Sequence, residues 1–107
     1  MNALYLAALG ITLCAEVPVV TLLYPGQRLR LGVACAVATT ATHLTMHFVL
    51  PGLLPAGTST LVAGETLALV AEAAVYLAVS RPHDPGRALV ASALANSLSF
   101  GAGLVLL

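Results

Sequence analysis

The chain has 107 residues, 60% of them hydrophobic and only 7% charged, with no formal net charge; its mean hydropathy is +1.02. A water-soluble domain of this length needs far more charge to cover its surface, so the composition points to a membrane protein. Four arginines balance four acids and lysine is absent, which excludes the basic stripe that nucleic-acid binding requires.

Residues 3–24 (ALYLAALGITLCAEVPVVTLLY) form the first apolar run. Pro18 lies inside it and removes a backbone donor, so a kink is expected between Ala15 and Pro18, beside Glu16. The start of the chain has no basic segment and no A-x-A site, and it reads as a retained helix, not a removed leader. Pro25-Gly26 stops the run, and Gln27–Arg30 makes a polar turn. A second run covers residues 31–50, is rich in Thr, and carries His43 and His47. Residues 51–59 (PGLLPAGTS) read as a loop without charge; Thr58, Ser59 or Thr60 is the expected N-cap of the third helix. The third run, residues 60–79, contains Glu65, Glu72 and Tyr76. Residues 80–87 (SRPHDPGR) are the most polar stretch, and the fourth run, residues 88–107, carries Asn96. Cys14 and Cys35 lack ligand spacing and read as small apolar residues.

Each run is about 20 residues long, enough to cross a hydrocarbon core of about 30 Å. Short connections between four such runs imply an all-α, up-down-up-down antiparallel four-helix bundle, one transmembrane domain over residues 1–107. Arg28, Arg30, Arg81 and Arg87 all lie in the first and third connections. The positive-inside rule then makes turns 25–30 and 80–87 cytoplasmic and puts both termini outside. Abundant Ala, Leu and Gly fit a bacterial inner membrane.

Three of the four acids lie inside apolar runs. A charged group at mid-membrane costs about 2.5–3.5 kcal/mol on insertion scales, so such residues face a partner or a polar cavity. Glu65 and Glu72 are one heptad apart and fall within roughly 20° of each other around the helix. At about 1.5 Å per residue, Glu16, Glu72 and Asn96 reach a common layer roughly 18–20 Å below the outer boundary. On the same scale His43, His47 and Glu65 lie roughly 6–12 Å below it. Thr12 and Tyr76 are each one turn from the deep acids. The deep layer reads as a proton or cation site built from Glu16, Glu72, Asn96, Tyr76 and Thr12, or as a neutral hydrogen-bonded cluster that fixes helix register. The outer layer reads as histidine–carboxylate hydrogen bonding. A divalent metal such as zinc on His43, His47 and Glu65 is the other reading, because two histidines four apart share a helix face.

Ala34, Ala38 and Thr42, and likewise Ala91, Ala95, Ser99 and Gly103, form ridges of small residues where backbones can approach closely. No nucleophile elbow, phosphate loop or dinucleotide fingerprint occurs, so nothing in the sequence points to an enzyme. The expected function is a small transport or ion- or proton-conducting protein, or a subunit of one, working as a homo-oligomer or with a membrane-protein partner. The alternative is an assembly or scaffold subunit of a larger membrane complex.

The opening MNALYLAALGITLCAEVPVVTLL resembles the first helix of the small multidrug resistance transporters. That resemblance implies that Glu16 would exchange protons for cationic drugs within an antiparallel dimer of four-helix chains. It covers about a fifth of the sequence. The remainder departs from the family in having no Trp and in adding His43, His47, Glu65 and Glu72.

Overall fold

The computed structural model describes residues 3–53 and 57–106, all helical apart from short turns. Helix α1 spans Ala3–Leu23, and a 3-10 turn at Pro25–Gln27 leads into α2, Arg28–Leu44. The chain then widens into a π-helical stretch, Thr45–Val49, and closes with a short α3, Leu50–Leu53. Helices α4 (Thr58–Val79) and α5 (Pro85–Leu106) complete the fold. Helix α1 packs on α2 and α5, and α4 packs on the same two, so the four long helices form a bundle.

Several boundaries differ from the sequence expectation for local reasons. Helix α5 begins three residues earlier than residue 88, because Pro85 is preset for a first helical turn. Asp84 caps it, accepting a hydrogen bond from the Arg87 N–H at 3.1 Å. Helix α4 is entered from Gly57, not from Thr58, Ser59 or Thr60. Gly57 sits at φ +123°, a conformation that residues with a Cβ rarely adopt. The second run is not one regular helix, and its helical path continues past Pro51 to Leu53. Pro51 has no N–H for the carbonyl of His47, and a wide turn sits over the carbonyls left without an α-helical donor. In it Leu50 donates to the carbonyl of Thr45, an i to i+5 bond. Helix α1 stays helical through Pro18. Of the loop expected at 51–59, residues 54–56 lie outside the described residues, as does Leu107 of the last run.

Among the described residues three helices are long and apolar enough to cross a membrane: Ala3–Leu23, Ser59–Val79 and Pro85–Leu106. Polarity is arranged opposite to that of a water-soluble bundle, which keeps its charged and polar face outward. Leu22, Val37, Val62, Val70, Leu94 and Val105 are exposed, while Glu16, Glu72, Thr39, Ser92, Asn96 and Ser99 are buried. Arg28 and Arg30 lie in the first turn of α2 and Arg87 in that of α5, and only Arg81 lies in a connection; these turns and the segments before them meet at one end. There the Gln27 side chain donates to the Arg81 carbonyl and accepts from the Arg81 N–H, each at 2.7 Å. Just beneath, Val20, Tyr24, Leu31, Cys35, Tyr76, Ala88 and Ala91 form a buried cluster.

Ala91 is wholly buried in this cluster. Ala91→Leu should destabilise the purified protein by about 1–3 kcal/mol through overpacking. Leu94→Ala, on the exposed face, should change it by about 0.5 kcal/mol or less. Reversible unfolding in mixed detergent measures both.

Candidate functional site

Four helices each send polar side chains to the bundle centre. Glu16 from α1 and Glu72 from α4 are 2% and 1% exposed, and both line one cavity. Hydroxyl and amide donors from α2, α4 and α5 surround them. Thr39 donates to Glu16 Oε1 at 3.1 Å and Ser99 to Glu16 Oε2 at 2.9 Å. Thr42 donates to Glu72 Oε2 at 3.0 Å. Asn96 Nδ2 and the Tyr76 hydroxyl both reach Glu72 Oε1, at 3.3 and 3.4 Å. Every carboxyl oxygen of the pair thus has a donor, as groups taken out of water require.

Those donors are themselves positioned. Asn96 Nδ2 also donates to the Ser92 carbonyl at 2.8 Å, which sets its amide plane. The Ser92 hydroxyl crosses to the Leu69 carbonyl at 2.7 Å and ties α5 to the backbone of α4. Thr42 and Ser99 each sit three residues beyond a carbonyl within reach of their hydroxyls, Thr39 and Asn96 respectively. Helix α2 can bring Thr39 and Thr42 so near because the buried residues beside them on its inner face, Cys35 and Ala38, are small.

Of the deep residues expected from sequence, Glu16, Glu72, Asn96 and Tyr76 belong to one hydrogen-bonded cluster. Thr12 does not donate to Glu16; its hydroxyl bonds its own helix at the Ala8 carbonyl, 2.8 Å away, though it lines the cavity that leads to the pair. Thr39, Thr42, Ser92 and Ser99 complete the cluster, and the sequence reading does not include them among the site residues. Their signal is nonetheless present, since 39 and 42, and 92, 96 and 99, recur at helical spacing on the faces that also carry the small residues.

The outer residues do not assemble as a metal site. Among the described residues no three His, Cys, Asp or Glu side chains are placed to hold a metal ion. His43 precedes the π-helical stretch that begins at Thr45, and His47 lies within it. Both imidazoles pack instead against Tyr5, with ring centroids 5.0 and 4.6 Å away. His43 and Glu65 face a common cavity, whereas His47 is exposed.

That cavity has a volume of about 370 Å³. Its rim is framed by exposed Leu61 and Leu104, at the end of the bundle where the chain begins and ends. It passes His43 and Glu65 and reaches Glu16, Glu72 and Asn96 at its floor. Below the floor lies the buried apolar cluster, and a second cavity, between α4 and α5, reaches Glu65 and Asn96. No family model matches the chain, and neither a curated protein nor a solved structure matches it.

Ser99→Ala removes the donor to Glu16 Oε2 and should cost about 1–3 kcal/mol, the penalty for an acceptor left unpaired. Thr12→Val, which removes only a bond within its own helix, should cost about 0.5 kcal/mol or less. Unfolding of the two variants side by side provides the check.

Proposed function

We propose that the chain is a small integral membrane protein, a transporter or ion- or proton-conducting protein or a subunit of one, in which Glu16 and Glu72 take up and release protons or cations. The outward apolar surface and inward polar cluster support residence in a bilayer, where exposed Leu and Val meet acyl chains. The arginine-bearing turns would face the cytoplasm and both ends of the chain the outside, as an up-down-up-down bundle of a bacterial inner membrane. Exposed leucine and valine faces leave room for a second copy or a membrane-protein partner.

One observation carries the transport reading: two buried carboxyls from different helices line the deep part of one cavity. A proton or cation entering along His43 and Glu65 would meet both carboxyls within one site. Because Tyr76, Leu31 and Val20 close the other end, passage would require a second conformation and not an open pore. Such alternation is the usual behaviour of secondary transporters.

A specific observation favours the assembly-subunit reading as well. All four carboxyl oxygens are already satisfied by protein donors, an arrangement that locks helix register without any transport.

The two readings part on Glu72→Gln. In a transporter, this variant inserts and folds in normal yield, yet proteoliposomes containing it lose pH-dependent cation or proton flux. If flux is absent from wild-type vesicles and the variant's folded yield collapses, the cluster serves assembly.

A further inference from the structure

The end of the bundle remote from the cavity holds a second concave feature. The two arginine-bearing turns enclose a groove of about 680 Å³, lined by Gln27, Arg28, Leu29, Arg30, Val33 and Arg81. The reciprocal hydrogen bonds between Gln27 and the Arg81 backbone fix one connection against the other. The groove is therefore built from two turns held in register.

Its charge is uncompensated. The side chains of Arg28 and Arg30 make no hydrogen bond or ion pair among the described residues. Arg81 is braced through Nη1 on the carbonyls of Ala78 and Ser80 and on His83, which leaves Nη2 and Nε uncommitted. No acid lines the groove, and Asp84, the nearest one in sequence, is engaged in capping α5. Gathering three guanidinium groups without a counter-charge is unfavourable, and an anion in their midst reverses the sign of that energy. Guanidinium forks match an oxyanion with several oxygens, above all phosphate. The rim is apolar, with Leu29 82% exposed and Val33 55% exposed, which suits a phosphate that carries hydrocarbon.

We propose that the groove between the two arginine-bearing turns binds a phosphate anion. The source is either the headgroup of an anionic phospholipid in the adjacent leaflet or a free phosphate. The proposal stands apart from the central carboxyls and holds whichever way they function.

Calorimetric titration of the full chain in zwitterionic detergent tests it, with short-chain phosphatidylglycerol, short-chain phosphatidylcholine and inorganic phosphate as probes. Phosphatidylglycerol should bind and phosphatidylcholine should not. Arg28→Gln with Arg30→Gln should weaken binding about thirtyfold, while Arg87→Gln, outside the groove, should leave it unchanged. Binding of inorganic phosphate with the same arginine dependence identifies a free anion as the source; binding of phosphatidylglycerol alone identifies the lipid. Equal binding of both lipids, no effect of the double glutamine variant, or equal loss in Arg87→Gln overturns the site. Should the double glutamine variant fail to fold, Arg28→Lys with Arg30→Lys preserves charge while removing the forks. Reduced affinity in it supports the site, and wild-type affinity overturns it.

Discussion

The constraint on which this bundle turns is the satisfaction of four carboxyl oxygens buried at its centre. Glu16 and Glu72 face each other across the bundle from α1 and α4, and neither helix supplies enough donors alone. Helix α2 therefore brings Thr39 and Thr42, and α5 brings Asn96 and Ser99. Each donor is useful only if its helix is close and correctly rotated. The small buried residues that permit this approach, Cys35 and Ala38 on α2 and Ala91 and Ala95 on α5, are thus consequences of the same requirement. In an interior of low polarity, a displaced donor would leave a lone pair unpaired at about 1–3 kcal/mol, so helix rotation and depth are fixed together.

This arrangement divides the molecule along its length. Toward the arginine-bearing turns the interior is a buried cluster of Val, Leu, Tyr and Ala; toward the other end it opens into a polar-floored cavity. The carboxyls sit at the boundary between the two halves. Tyr76 belongs to both, being part of the buried cluster while its hydroxyl reaches Glu72. A movement of that ring would change the packing below and the hydrogen bonding above in one step.

Much of this was legible in the sequence, and the gaps have physical origins. Runs of about 20 apolar residues need no tertiary context to be recognised as helices. An acid inside such a run announces that something must answer it, so Glu16, Glu72 and Asn96 stood out. Hydroxyls were harder, because a Thr or Ser within a helix can bond its own preceding carbonyls. Thr12 does so, and Thr39 does not. Only the facing helices decide between these outcomes, and no spacing rule contains them. The histidines show a different limit: both turn toward Tyr5, and four-residue spacing on one helix says nothing of which ring from another helix meets them. The departure from the α-helix at Thr45 lies next to Pro51, and a proline's effect on the turns before it is not visible in a periodicity count. The early start of α5 at Pro85 was hidden because proline reads as a breaker before it reads as a first helical residue.

The mutual grip of Gln27 and Arg81 has a mechanical consequence. Two connections far apart in sequence are pinned by a pair of bonds at 2.7 Å, so the four helices resemble the arms of tongs joined at the hinge. Tilting of any arm is small beside the pin and largest at the opposite tips. Rocking of the arms would thus be felt first around Tyr5, His43 and His47, and last at the arginines.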